Sequence, residues 1–141
     1  ATYKATQVQA DKRKNTFTAN IATAYPAEAE VESWIRSYSL QKGQLRISDS
    51  FRLTTAKQPN QINFMTWGQV NTEIPGKIQL EVKGKKAFIE YDKQLFDVKT
   101  ETIPLTDPRL SNVWGKSIYR ITLTATNIYK TGNYSFIIKK Q

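Results

Sequence analysis

Leu40-Gln41-Lys42-Gly43-Gln44-Leu45-Arg46-Ile47-Ser48-Asp49-Ser50-Phe51-Arg52-Leu53 decides the fold class. Leu45, Ile47, Phe51 and Leu53 alternate with Arg46, Ser48, Ser50 and Arg52, the period of two that a half-buried strand requires. Gly43 before this run reads as the left-handed position of a three-residue hairpin loop. That loop pairs Ser39 with Leu45, Ser37 with Ile47 and Ser33 with Phe51, which makes theirs the expected core face. The opposite face then carries Trp34, Arg36 and Tyr38 beside Arg46, Ser48, Ser50 and Arg52.

The same alternation continues outward in both directions. Phe17, Ala19 and Ile21 form one run, Ile62 and Phe64 another, Ile78, Leu80 and Val82 a third, and Ala87, Ile89 and Tyr91 a fourth. Tyr119, Ile121, Leu123 and Ala125 follow, and Tyr134, Phe136 and Ile138 close the chain. Lys83-Gly84-Lys85-Lys86 reads as a Gly-X hairpin turn pairing Val82 with Ala87, Leu80 with Ile89 and Ile78 with Tyr91. Helical periodicity is nearly missing, and the one Ala/Glu-rich stretch, Ala24 to Glu30, contains Pro26. Ile103 to Arg109, with two prolines, is the one long irregular connection and suits a crossing between sheets. The expected fold is all-β, an antiparallel β-sandwich of two layers and about ten strands, with residues 1–141 as a single domain.

With 141 residues the chain is long enough to bury one core without staples. It has no cysteine, which excludes disulfides and thiolate metal sites, and no histidine. Without imidazole there is no serine–histidine triad and no histidine-ligated zinc, so neither metal nor cofactor is expected. Lys plus Arg number 21 against 12 Asp plus Glu, a net charge of +9 that favours polyanions: sulfated polysaccharide, nucleic acid or anionic lipid. No apolar run approaches a membrane span, so no membrane partner is expected. The opening Ala1-Thr2-Tyr3-Lys4 lacks the layout of a signal peptide and reads as the middle of a longer protein.

Trp34, Arg36, Tyr38, Arg46 and Arg52 are the candidate polysaccharide-binding residues. Rings stack on sugar C–H faces, and guanidinium forks grip sulfate or carboxylate in pairs of hydrogen bonds. The same enrichment marks protein interfaces, and packing against another layer is the stronger expectation. Trp114-Gly115 with Tyr119-Arg120 is a second aromatic–basic group, but burial of Trp114 at the end of the core is favoured. Trp67 is expected in the core or an interface. Lys12-Arg13-Lys14, Lys83-Lys85-Lys86 and Lys139-Lys140 serve solubility and edge protection before ligand steering. Asp49 interrupts an apolar face, where a bulge or a satisfied hydrogen bond is expected over catalysis.

Ile103-Pro104-Leu105-Thr106-Asp107-Pro108-Arg109-Leu110, then Val113-Trp114-Gly115, then Ile118-Tyr119-Arg120-Ile121 resembles the end of heparinase II/III-like polysaccharide lyases. Ala24 to Ala29, Ile47 to Phe51 and Asn63 to Thr66 fit the same family, so the resemblance spans nearly the whole chain. It implies an α/α toroid upstream, followed by antiparallel β domains, and β-elimination carried by tyrosine and histidine. Some relatives hold zinc through histidine and aspartate, and neither histidine-dependent site carries over to this sequence. The resemblance therefore implies a non-catalytic accessory domain of a periplasmic or secreted lyase, incomplete on one edge. Its partners would be the upstream catalytic domain and sulfated or acidic polysaccharide such as glycosaminoglycan. The alternatives are a free-standing module for anionic polysaccharide and, more weakly, a single-stranded nucleic-acid binder, which lacks a recognisable motif.

Overall fold

A computed structural model describes residues 3–141. The elements are β1 (Thr6–Asp11), β2 (Thr16–Asn20), β3 (Val31–Gln41), β4 (Gln44–Leu53), β5 (Gln61–Thr66), β6 (Gln69–Ile74), β7 (Lys77–Val82), β8 (Lys85–Glu90), β9 (Phe96–Pro104), α1 (Pro108–Trp114), β10 (Ser117–Ala125) and β11 (Thr131–Lys140). These strands lie in two antiparallel sheets of eight and three, so the fold is the expected all-β sandwich. The Ala/Glu-rich stretch forms only two short 3-10 turns, Ala22–Ala24 and Ala27–Ala29. No helix among the described residues is long and apolar enough to cross a membrane. The chain divides into two compact units: residues 1–59 with 128–139, and residues 60–127 with 140–141.

In the first unit the strands run in the order β1-β2-β3-β4-β11. The β3–β4 register differs from the sequence expectation by one residue: Tyr38 faces Ile47, Arg36 faces Asp49 and Trp34 faces Phe51. The physical cause is the turn. Lys42 and Gly43 both take positive φ, 50° and 73°, so the loop is a two-residue type I′ turn closed by Gln41 opposite Gln44. Because side chains alternate, that single step exchanges the two faces. Ser37, expected inside, instead lies in a polar row, Thr18–Ser37–Ser48–Ser135, with the Thr18 and Ser37 hydroxyls 3.0 Å apart. Trp34, expected outside, joins the core, and Tyr38 is half-buried on the same face. Trp34 stacks on Phe51 at 4.9 Å, and Phe51 meets Tyr134 at 4.8 Å. Gly132 lies opposite Phe51, where an added Cβ would sit only 3.0 Å from the ring.

In the second unit β5-β10-β9 form one sheet, and β6, β7 and β8 pair in order. Ile62, Ile78, Phe88, Ile89, Phe96, Ile121, Leu123 and Ala125 are its buried core. The β7–β8 turn is again type I′, with Lys83 and Gly84 at φ 50° and 75°. Leu80 faces Ala87 and Ile78 faces Ile89, two residues from the expected register. A two-residue step preserves the faces, which is why the expected inward set of β7 and β8 stays together. Ile103 to Arg109 completes β9 and enters α1, and it leads to β10, the neighbour of β9 in the same sheet, so it is not the crossing between sheets that was expected.

Candidate functional site

The five residues expected to form a polysaccharide face do not share one. Trp34, Arg36 and Tyr38 lie on the face of Phe51, Asp49 and Ile47, while Arg46 and Arg52 lie on the other. Trp34 is 7% exposed, and its indole N–H is buried without a hydrogen-bond partner among the described residues. Tyr38 leans on Phe17 at 6.1 Å. Arg36 Nε and Nη2 each donate to a different Asp49 carboxylate oxygen at 2.7 Å. Those bonds hold the guanidinium pKa above its ordinary value, against the opposing effect of burial. Asp49 is therefore the satisfied buried carboxylate expected, without a bulge at its position. On the other face, Arg46 donates to Ser135 Oγ at 3.2 Å and Arg52 to Glu32 at 3.4 Å, both exposed.

An open aromatic surface lies in the second unit, built from one tryptophan expected at the end of the core and one expected in the core or an interface. Trp67 is 42% exposed and Trp114 is 47% exposed. Their rings meet edge to face, 6.5 Å between centroids at 73°. Lys83 Nζ stands 5.9 Å from the Trp67 ring, within cation–π range. Met65, Thr66, Leu105, Leu110 and Ile118 complete a cleft of about 280 Å³ around the two indoles.

Local sequence builds each wall. Asp107 caps α1 by accepting from Arg109 N–H at 2.9 Å, and Pro108 begins the helix where no N–H is needed. Gly115 ends the helix with φ 87°, its N–H donating to Ser111 O at 3.0 Å. Leu110 and Trp114, four residues apart, thus share the helix face that lines the cleft. The Leu105 N–H donates to Lys116 O at 2.8 Å and ties the two ends of this segment together.

The opposite wall depends on Gly68. A Cβ there would fall 2.7 Å from the Glu81 backbone oxygen and 2.5 Å from Val82 Cγ2, so only glycine lets the β5–β6 turn lie against β7. The Gly68 N–H donates to Thr66 Oγ1 at 3.1 Å. This close approach brings Trp67 within reach of Lys83 at the end of β7.

The sequence favoured burial for Trp114 and the core or an interface for Trp67. Asp107-Pro108, a cap and a first-turn proline, is the signal for the short helix that puts Leu110 and Trp114 on one side. Arg120, the expected cationic companion of Trp114, instead pairs with Glu101. Among the described residues no group of three or more acidic, histidine or cysteine side chains is placed to hold a metal ion. No family model and no curated protein matches this chain.

Proposed function

We propose that this chain is a non-catalytic β-sandwich accessory domain of a heparinase II/III-like polysaccharide lyase, in which it supports the catalytic domain upstream and contacts acidic polysaccharide. The observation that carries the sugar-contacting role is the pair of half-exposed indoles, Trp67 and Trp114, with the Lys83 ammonium beside them. Indole faces match the apolar C–H faces of a pyranose, and a neighbouring ammonium favours a ring that carries a carboxylate or sulfate. The net charge of +9 adds long-range attraction for such a chain. The supporting role rests on the carboxy-terminal motif from Ile103 to Ile121. A non-catalytic role is favoured by the bidentate commitment of Asp49 to Arg36, which leaves that carboxylate no freedom to move a proton. A periplasmic or secreted location belongs to the same proposal.

The test is binding of the chain to immobilised heparan sulfate, chondroitin sulfate and a neutral glucan at physiological salt. Saturable binding to an acidic polysaccharide, with none to the glucan, is expected. Failure to bind any acidic polysaccharide at that salt would reject the sugar-contacting role.

A further inference from the structure

Beside the aromatic cleft lies a second, larger one in the same unit, of about 580 Å³, and its charged lining is Lys85, Lys86 and Lys140. Thr66 lines both clefts. We infer that the two clefts are adjoining subsites of one track for an acidic polysaccharide: a pyranose ring rests between Trp67 and Trp114, and the carboxylate or sulfate of a neighbouring residue sits between Lys85 and Lys140. This inference rests on the function proposed above and adds to it the position and polarity of the bound chain.

Three observations carry it. The first is continuity, since the aromatic and lysine clefts meet at Thr66 and Lys83 reaches from the β7–β8 turn toward Trp67. The second is charge. No acidic side chain lines either cleft, and among the described residues Lys85, Lys86 and Lys140 form no ion pair. Glu81 is registered opposite Lys86, so these two side chains lie on the other face of β7–β8 from Leu80, Val82, Lys85 and Ala87, and among the described residues Glu81 forms no ion pair. Like charges gathered in one cleft repel one another, and an entering anion relieves that repulsion.

The third observation is that the group is built by the fold. The type I′ turn at Lys83-Gly84 fixes where β8 starts, and so where Lys85 and Lys86 emerge. The Gln141 N–H donates to the Lys86 carbonyl at 3.2 Å, which fastens the residue next to Lys140 onto β8. Ammonium groups act as compact charges without the fixed fork of arginine, so this subsite accepts either a carboxylate or a sulfate. The separation of roles follows from the linings. The aromatic cleft is almost wholly apolar and selects a ring face, whereas the lysine cleft selects charge.

The experiment titrates the whole chain with a heparan sulfate octasaccharide, following tryptophan fluorescence at several salt concentrations. Four proteins are compared: wild type, Trp67→Ala, the double variant K85S/K140S, and K12S/R13S/K14S in the first unit. Circular dichroism and thermal unfolding establish that each is folded. Trp67→Ala should weaken binding about tenfold with the salt dependence unchanged, because it removes contact and no charge. The lysine double variant should weaken binding about tenfold and flatten the salt dependence, while K12S/R13S/K14S stays within about twofold of wild type.

Wild-type binding left unaltered by both cleft changes would overturn the track and leave the proposed function standing. No binding of wild type to any acidic polysaccharide would overturn the function and the track with it. Tighter binding of oligothymidylate than of the octasaccharide, lost in the same variants, would make this surface a nucleic-acid site and overturn both.

Discussion

Removal of the Asp49 carboxylate tests the energetic centre of the first unit. Asp49 is 2% exposed, and its side chain accepts two bonds of 2.7 Å from Arg36, which keeps 24% of its own side-chain surface in water. Asp49→Ala strands a guanidinium on the core face. A charged hydrogen bond contributes about 1.5–3 kcal/mol, and breaking a buried pair costs about 3–5 kcal/mol. Partial hydration of Arg36 argues for the lower end, about 3 kcal/mol. With a urea dependence of about 1.5 kcal/mol/M, the unfolding midpoint should fall by about 2 M at unchanged slope. The double variant R36M/D49L removes both charges and should recover most of the loss, because an apolar replacement of a buried pair is often neutral. A shift of less than about 0.5 M for Asp49→Ala would refute the reasoning. So would a double variant no more stable than the single one, which would place the energy in packing rather than in the stranded charge.

Gly132→Ala should destabilise by about 1–3 kcal/mol, because its Cβ would push Phe51 into Trp34 and Tyr134, and a changed near-ultraviolet dichroism with a lowered urea midpoint would report it. Lys42→Asn should stabilise by less than about 1 kcal/mol, since Asn-Gly suits the paired positive φ of a type I′ turn better than Lys-Gly; thermal unfolding measures the gain. Glu30 should titrate below the ordinary glutamate range, owing first to the hydroxyl of Thr55 and then to Lys57. A lowered folded-state pKa means that its contribution is present above the unfolded value and is lost as pH falls through the depressed one. Carboxyl-carbon NMR should show that midpoint, and Thr55→Val should move it back up.

The period-two pattern of Leu45 to Leu53 was legible as a strand because only an extended chain places Leu45, Ile47, Phe51 and Leu53 on one side. The structure buries Ile47, Asp49, Phe51 and Leu53 together, so even the expectation that Asp49 points inward was readable. Which partner side chains would share that face was not. The first hairpin differs from its expected register by one residue, and with it Trp34 and Arg36 move from a candidate sugar face to the core. The second differs by two and keeps its faces, with Ile78 and Ile89 opposed and buried. The exposure of Trp67 and Trp114 was equally out of reach. It depends on a close approach between the turn at Gly68 and β7, and on a seven-residue helix.

The sequence by itself determined an all-β chain and its cationic character, because alternation and charge are local properties read residue by residue. The tertiary structure alone decided which aromatic and basic side chains meet. That choice depends on strand register and on contacts between segments distant in sequence, and one residue of slip in a pleated strand reverses every side chain.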